Sequence, residues 1–300
     1  MITPFGLYEW QRLAFDLCSA PSSFKKIVAE LINGIPGVKN LLDDIVICGT
    51  TQAEHDERLK RVLQSLAEHD VIINTEKSSF SVDAVDFVGH RVTPQGVSPL
   101  QSHVEAISKL DTPTNLKELR RFLGAAGFYR KFVPQFSDLV EPLNEVLRGE
   151  SEFAWSDQRQ QAFDQLKTAL TSAAVLAHFD LRLPIQVTTD ASAVAIGAVL
   201  SQTQTDGSER PVAYASRTLT TAERAYSVSE REALACIWAC ERWHWFLYGR
   251  RFTLRTDHSS LTTLLSGGTK GRRPMRLLRW ADRLSEYQFD VVYRPGADNA

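Results

Sequence analysis

Two short apolar segments in the second half of the chain each end in an acidic residue, and a long segment of helical character separates them. Residues 185–190 and 252–257 have the composition of strands and end in Asp190 and Asp257. Residues 229–248 between them have the length and apolar content of a helix, which carries Glu232. Because a fold brings distant strand ends together, we expect these three acids to converge, and a carboxylate cluster of this kind suits a pair of metal ions. A plain surface position is the alternative for each acid taken singly.

Two further acids, Asp43 and Asp44, lie between apolar segments at residues 38–42 and 45–48, which predicts a hairpin with acids at its turn. Paired carboxylates on a tight hairpin can bind the divalent cations that clamp the attacking and leaving oxygens of a phosphoryl transfer. A polar turn without function is the alternative, since Asp favours turns. On the pair alone the polar turn is the more common case, so the surrounding sequence has to decide.

Apolar spacing and turn residues predict the remaining elements of the chain. In the first half we expect helices over residues 8–30 (interrupted at Pro21), 51–69, 99–110 and 114–124, and strands over residues 71–73 and 85–92. In the second half we expect helices over residues 156–171 and 273–287 and strands at 197–200, 211–215 and 289–293. The main change of pattern falls between residues 173 and 183.

The composition is that of an ordinary folded protein and excludes several other classes. The chain has 300 residues, of which 43% are hydrophobic and 23% charged, so two or three domains with normal cores can form. No apolar run is long enough to cross a bilayer, and residues 1–6 lack the features of a secretory signal. The four cysteines lack zinc-site spacing, so Cys236 and Cys240 are interpreted as core residues in a reducing compartment.

Charge is distributed unevenly along the chain. The net charge is −2, but residues 241–300 hold eleven Lys or Arg against six Asp or Glu. A basic C-terminal region of this kind could face phosphate groups. A solvated charged surface is the alternative, and the same two interpretations stay open for a cluster formed by Arg272, Arg273, Arg276 and Arg279.

The sequence around the acidic pair resembles that of reverse transcriptases, most closely those of gypsy-like LTR retrotransposons, and the likeness covers essentially the whole chain. Residues 8–24 resemble the segment that contacts nucleotide and template, and residues 41–44 (LLDD) resemble the metal-binding hairpin. Residues 74–77 (NTEK) resemble the next motif, and residues 87–90 (FVGH) the primer-gripping hairpin. Residues 119–134, which contain FLG and YRKF, are similar to the thumb.

This resemblance implies roles for individual residues. Asp43 would be a metal ligand and Asp44 its less stringent partner, while Lys77 would donate a proton to the departing pyrophosphate. The nucleotide pocket would be shaped by Phe15, Ala20 and Pro21. The primer end would be held by Gly89 and His90. An exposed loop lysine is the alternative for Lys77 considered alone.

Three positions depart from the reverse transcriptase pattern. Leu41 replaces the usual aromatic residue before the metal hairpin, Asp16 replaces a Gly, and Lys25 replaces a Gln. The added carboxylate of Asp16 would repel a triphosphate, and its Cβ would restrict the backbone if that Gly had a positive φ. Lys25 changes an expected template contact.

The second acid cluster lies in segments that resemble the retrotransposon RNase H domain. These segments are residues 189–192 (TDAS), 197–200 (GAVL), 213–217 (AYASR), 226–235 (YSVSEREALA) and 256–261 (TDHSSL). The resemblance implies that metal ions held by Asp190, Glu232 and Asp257 hydrolyse the RNA strand of an RNA–DNA hybrid. Glu230 competes with Glu232 for the middle position. The two face different sides of a helix, and the small apolar run that follows Glu232 favours it.

The resemblance also implies acids that these residues do not supply. A third polymerase carboxylate belongs upstream of residue 8, and a fourth RNase H carboxylate belongs beyond residues 293–300, because Asp298 lies in the preceding loop. We therefore expect a fragment truncated at both ends, with no DNA polymerisation by the isolated chain and weak or absent RNA cleavage.

These observations predict an α+β and α/β multidomain chain. A partial reverse transcriptase palm is expected over residues 1–98, a thumb and connection over 99–178, and a C-terminally incomplete RNase H-like mixed-sheet domain over 179–300. The predicted cofactor is Mg²⁺ or Mn²⁺, two per active site in the intact family. The predicted partners are an RNA–DNA hybrid, an RNA template with a DNA primer, and dNTPs, in the cytoplasm, a virus-like particle or the nucleus and without a membrane. The alternatives are a non-catalytic nucleic-acid-binding remnant and a decayed mobile-element product.

Overall fold

The computed structural model describes residues 2–9, 17–148, 153–259, 261–262 and 275–295. The chain divides into two compact units, Met1–Val82 and Asp83–Ala300. The domain limits at residues 98/99 and 178/179 stay predictions. Among the described residues, no helix is long and apolar enough to cross a membrane.

The first unit combines two helices with two short hairpins. Its elements are β1 (Ile2–Thr3), β2 (Gly6–Leu7), α1 (Ala20–Leu31), β3 (Val38–Leu41), β4 (Asp44–Ile47), α2 (Gln52–Glu68) and a 3-10 turn (Thr75–Lys77). Helix α2 begins where the Thr51 hydroxyl accepts a hydrogen bond from the Glu54 N–H, an ordinary N-cap. The small core of this unit comprises Ile32, Ile35, Val38, Val62 and Leu66.

Two predictions for the first unit are wrong. Pro21 does not interrupt a helix, because it lies in the first turn of α1. Backbone N–H groups in the first turn make no hydrogen bond within the helix, so the absence of an N–H in proline costs nothing there. The part of that predicted helix at residues 10–16 lies outside the described residues. Residues 71–73 form no strand. Buried and exposed side chains still alternate along this segment, because Val71 and Ile73 pack against the small core while Ile72 is 94% exposed.

The second unit begins with a small antiparallel sheet and four helices. These elements are β5 (Val85–Phe87), β6 (His90–Thr93), β7 (Gly96–Pro99), α3 (Gln101–Ser108), α4 (Leu116–Phe128), a 3-10 turn (Arg130–Phe132), α5 (Phe136–Arg148) and α6 (Asp157–Thr171). The strand predicted over residues 85–92 is in fact a hairpin, because the chain turns at Val88 and Gly89, both at positive φ. The helices share a core in which Phe122 and Phe163 pack with ring centroids 4.4 Å apart.

Helix α5 was not predicted from the sequence. Pro142 lies inside it, and an interior proline normally argues against a helix because it removes a backbone hydrogen bond. Tertiary packing overrides that preference, since one face of α5 buries Phe136, Val140 and Leu143. The helix packs on α6 and on strand β10 of the large sheet.

The remainder of the second unit is a five-stranded mixed sheet covered by helices. Its elements are β8 (Ile185–Ala191), β9 (Ala195–Thr203), β10 (Glu209–Thr218), α7 (Thr221–Arg224), α8 (Val228–Arg242), α9 (His244–Leu247), β11 (Arg251–Thr256), α10 (Met275–Leu284) and β12 (Gln288–Tyr293). The strand order is β10-β9-β8-β11-β12. Strands β8, β9 and β10 pair antiparallel, and β8, β11 and β12 pair parallel. This arrangement confirms the predicted mixed sheet.

Helix α8 covers the sheet with a nearly continuous apolar face. The predicted helix over residues 229–248 is interrupted, because α8 ends at Arg242 and the short helix α9 follows. Cys236 and Cys240 of α8 are fully buried in the core, as predicted, whereas Cys18 and Cys48 of the first unit are exposed, and all four thiols are free.

A buried carboxylate triad and an exposed acidic hairpin

Three carboxylates converge at one end of the parallel pair of strands. Strands β8 and β11 run in register, with Thr189 opposite Thr256, so Asp190 and Asp257 leave the pair side by side. Helix α8 packs across β8 and brings in Glu232. One oxygen from each of the three side chains lies within 4.8 Å of the others.

The start of helix α8 separates the two competing glutamates. Glu230 is the third residue of the helix and forms a capping box with Ser227, in which each side chain bonds to the other residue's backbone N–H. Glu230 also accepts a hydrogen bond from Arg276 over 2.9 Å. Glu232, two residues further on, points to the other side and is 3% exposed. The structure therefore places Glu232, and not Glu230, beside the two aspartates.

Burial and mutual repulsion raise the pKa values of two of the three carboxylates. Burial, followed by repulsion from Asp257 and Asp190, raises the pKa of Glu232 to about 8, although a hydrogen bond from the Ala191 backbone opposes the shift. Burial and the neighbouring Asp190 also raise the pKa of Asp257. Both shifts have the sign expected when carboxylates crowd together away from water.

The residues of the triad fit a divalent cation. All three donors are carboxylate oxygens, which hard cations such as Mg²⁺, Mn²⁺ and Ca²⁺ prefer. The Oε2 atom of Glu232 is buried and has no hydrogen-bond partner among the residues that the structure describes. An orphaned buried oxygen beside two other carboxylates is costly unless a proton or a cation neutralises it.

Two further polar side chains from α5 and its preceding loop lie next to the triad. The Nε2 atom of Gln135 donates a hydrogen bond to Asp190 Oδ2 over 3.0 Å. Asp138 accepts a hydrogen bond from the Ser192 hydroxyl over 2.5 Å. Burial, and secondarily Asp190, raises the pKa of Asp138. Sequence reasoning missed both residues, because each lies more than 50 positions before its partner in the chain.

Two side-chain contacts beside the triad join the strand ends to helix α8. The Thr189 hydroxyl lies 3.3 Å from the sulfur of Cys236, which is one helical turn beyond Glu232. On the other side, His258 Nε2 is 3.1 Å from the Ser229 hydroxyl at the start of α8. These contacts tie the end of β8 and the residues after β11 to the helix, which fixes the relative positions of the three acids.

The acidic hairpin of the first unit has a different geometry. Leu41 pairs with Asp44 across β3 and β4, so Leu42 and Asp43 form the turn and Asp44 is the first residue of β4. Both acids are exposed. Leu42 has a φ of 52°, a conformation that non-glycine residues seldom adopt. Within the described part of the chain, these two acids do not form a metal-binding group with a third acidic, His or Cys side chain.

The other residues predicted around the polymerase site lie at element ends. Lys77 ends the 3-10 turn that Asn74 caps, and its side chain is exposed. Ala20 and Pro21 form the first turn of α1. Phe15 lies outside the described residues.

The turn at Gly89 and His90 is held by the thumb-like segment. The Tyr129 hydroxyl donates a hydrogen bond to the Gly89 carbonyl over 2.8 Å. The imidazole of His90 packs against the rings of Phe128 and Phe132. Burial, and secondarily Lys131, lowers the pKa of His90. A Cβ at residue 89 would come within 3.1 Å of Phe128, so the close approach and the positive φ both favour glycine there.

Of the four arginines considered as phosphate contacts, Arg276 is engaged within the protein. It bonds to Glu230 and its guanidinium lies 3.9 Å from the ring centroid of Tyr226. Arg279 lies in α10, and Arg272 and Arg273 lie outside the described residues.

Comparisons with known proteins match both halves of this description. The family of reverse transcriptases (RNA-dependent DNA polymerases) matches residues 2–92. The family described as an RNase H-like domain found in reverse transcriptase matches residues 155–254. The Tf2-3 transposon polyprotein of Schizosaccharomyces pombe is 35% identical over 300 residues, which cover 99% of this chain and 22% of that polyprotein.

Solved structures of a foamy viral enzyme are also similar. The foamy viral protease-reverse transcriptase dRH in complex with double-stranded DNA has a TM-score of 0.82 and 25% identity, over 95% of this chain and 50% of that one. The same viral protease-reverse transcriptase in complex with an RNA/DNA hybrid has a TM-score of 0.76 and 25% identity, over 97% of this chain and 40% of that one.

The fold, the triad and these matches define a chain of reverse transcriptase type that continues into an RNase H-like domain. Over nearly its whole length the chain is similar to transposon polyproteins, and its two matched regions fall in the reverse transcriptase and RNase H-like families, as its motifs predicted. The chain spans about a fifth of the length of the transposon polyproteins it matches, since it covers 22% of them.

Proposed function

We propose that the second unit is a metal-dependent ribonuclease H that cleaves the RNA strand of an RNA–DNA hybrid. The convergence of Asp190, Glu232 and Asp257 within 4.8 Å carries this proposal. The similarity to a foamy viral enzyme solved in complex with an RNA/DNA hybrid supports the choice of substrate.

In this proposal the three acids hold Mg²⁺ or Mn²⁺, two ions in the intact family. Bound divalent ions would activate the attacking water and stabilise the charge that develops on the scissile phosphate. Glu232 supplies the buried ligand, because its Oε2 atom accepts no hydrogen bond within the described part of the chain. Asp190 and Asp257, which are half-buried, face the solvent side from which a nucleic acid would approach.

The first test is cleavage of an end-labelled RNA–DNA hybrid by the folded chain in Mg²⁺ and in Mn²⁺, with Asp190→Asn as the control. Metal-dependent cleavage that the substitution abolishes would support the proposal. Equal products from both proteins would identify a contaminating nuclease. A folded chain that binds the hybrid and never cleaves it would favour a nucleic-acid-binding remnant instead.

We further infer a polymerase role for the first unit, from the match of residues 2–92 to reverse transcriptases and the acids on its hairpin. Asp43 and Asp44 would bind metal, and Lys77 would protonate the departing pyrophosphate of a dNTP. The nucleotide pocket would include Phe15, Ala20 and Pro21.

In the second unit, Gly89 and His90 would hold the DNA primer on its RNA template. This inference is tested by primer extension on an RNA template. We expect no extension by this chain alone, since two carboxylates hold a metal pair poorly. Extension that Asp43→Asn abolishes would show that these two acids suffice.

A further inference from the structure

We propose that Gln135, in the loop before α5, is a positioning residue of the candidate nuclease site. The inference rests on the proposed function, because it assigns a role toward the ion that Asp190 would bind. Its starting observation is the 3.0 Å hydrogen bond from Gln135 Nε2 to Asp190 Oδ2. This bond fixes the orientation of the Asp190 carboxylate beside Glu232 and Asp257.

The backbone of Gln135 is in an uncommon conformation. Its φ is 48°, in the left-handed region, where a residue with a long side chain is disfavoured by about 1 kcal/mol or more. The strain persists because the Gln135 carbonyl accepts hydrogen bonds from the N–H groups of Asp138 and Leu139 at the start of α5. Strained residues of this kind are held by their surroundings and concentrate at functional sites.

The segment that begins with Gln135 is fastened to the large sheet at several points. The Ser137 N–H donates to the Ser216 hydroxyl over 2.9 Å. Glu141, which is only 5% exposed, accepts a hydrogen bond from Arg224 of α7. Gln135 itself lies over the sheet, since a Cβ at Gly197 would come within 3.8 Å of its Cγ, and Gly197 is the strand partner of Asp190. The amide is thus aimed at Asp190 by a docked helix and not by a free loop.

The chemistry of an amide suits this position. Asp190 is surrounded by other acids, namely Asp138, Glu232 and Asp257. A neutral donor fixes the orientation of the Asp190 carboxylate without adding a positive charge that would repel a divalent cation. Lys or Arg at the same place would compete with the ion. Outer partners of this kind typically change metal affinity by about 10- to 100-fold when they are removed.

The consequence is that the site extends beyond the sheet that carries its ligands. Gln135 lies upstream of residues 155–254, the region that matches the RNase H-like family, and upstream of the predicted domain limit at 178/179. The helix α5 therefore belongs functionally with the triad, although it packs on α6 as well.

The test is Mn²⁺ titration of the full chain, with free Mn²⁺ measured by electron paramagnetic resonance, beside thermal unfolding of the same samples. Gln135→Gly and Gln135→Asn both remove the contact, since Asn is one methylene shorter, and both tolerate a positive φ. We expect each to weaken Mn²⁺ binding by about 10-fold while Tm stays the same or rises. A residue that only supports the fold would not give this opposite pair of effects.

Two controls make the result decisive. Ser137→Ala removes the 3.0 Å hydrogen bond that the Ser137 hydroxyl accepts from the Ser216 hydroxyl, without touching Asp190, and we expect unchanged Mn²⁺ affinity. An affinity loss in Ser137→Ala as large as in Gln135→Gly would overturn the role of the amide, as would wild-type affinity in both Gln135 variants. Asp190→Asn distinguishes failure of the metal-site proposal from failure of the Gln135 proposal. If this variant binds Mn²⁺ as tightly as the wild type, the triad does not bind the metal at all.

Discussion

The two acidic regions of this protein place carboxylates together by different means. On the hairpin, Asp43 and Asp44 are neighbours because they are consecutive in the chain, and both are exposed. In the triad, Asp190, Glu232 and Asp257 come from three elements, and Glu232 is 3% exposed. A local sequence can therefore produce adjacent acids at little energetic cost, whereas only a folded core can force acids together out of water. The crowding and burial in the triad raise the pKa of Glu232 to about 8, and a bound cation would relieve the repulsion among the three carboxylates.

The largest effect expected from this contrast is on catalysis. Glu232→Gln keeps the shape of the buried side chain but removes a ligand charge, so we expect hybrid cleavage to fall by about 100-fold or more. The matched control is Glu230→Gln, two residues earlier on the same helix, which should cleave normally. Its cost should be a loss of stability of less than about 1 kcal/mol, because Gln can still close the capping box but loses the ion pair with Arg276. Equal losses of cleavage in the two variants would contradict the assignment.

The second prediction concerns the pH dependence of stability without metal. The pKa of Glu232 is about 8 in the folded protein against an ordinary 4.5, so the folded state binds more protons than the unfolded state between these values. Stability from this group is therefore complete below pH 4.5 and is lost as the pH rises through 8.

The measurement is urea unfolding of the chain in EDTA at pH 5.5 and pH 8. The unit that contains the triad should lose on the order of 3 kcal/mol between the two values of pH. Glu232→Gln should remove most of this dependence, and Mn²⁺ should restore stability at pH 8 in the wild type only. A pH dependence that is identical in the two proteins would place the titrating group elsewhere.

A smaller effect is expected at the turn of the hairpin. Leu42 has a positive φ and a half-exposed side chain, so Leu42→Gly should stabilise the first unit by about 1 kcal/mol in urea unfolding. Leu41→Gly is the matched control. It should destabilise the same unit, because residue 41 is in a strand with an ordinary φ.

The smallest effect should come from the exposed acids themselves. Asp43→Asn is expected to change the free energy of unfolding in urea by less than about 0.5 kcal/mol. A change as large as that of Glu232→Gln would mean that the hairpin acids also repel each other strongly in the folded state. That result would remove the contrast between the two regions.

The sequence predicted the triad better than the parts that support it. Strands ending in acids and an apolar helix between them are local patterns. Helical periodicity separated Glu230 from Glu232, and the choice of Glu232 rested on the small apolar run after it, which resembles the RNase H domain. The hairpin of Asp43 and Asp44 was equally local. Gln135 carries no such signal, because its contact with Asp190 spans 55 positions and depends on how α5 docks. The strand predicted at residues 71–73 was wrong for a related reason. Packing against a core can make buried and exposed residues alternate as in a strand, even where there is no partner strand.

The distribution of the four thiols gives the protein a built-in chemical reporter. Cys18 and Cys48 are exposed in the first unit, so they should react with a thiol reagent in the native state. Cys236 lies beneath Glu232 with its pKa raised to about 12, chiefly by burial, and Cys240 is buried one turn further along the helix. Alkylation of these two by pulse labelling would require α8 to leave the sheet. The labelling rate of Cys236 and Cys240, read by mass spectrometry, therefore follows the opening of the metal-site core without any introduced probe. Cys18 and Cys48 give the reference rate of thiols that react without opening.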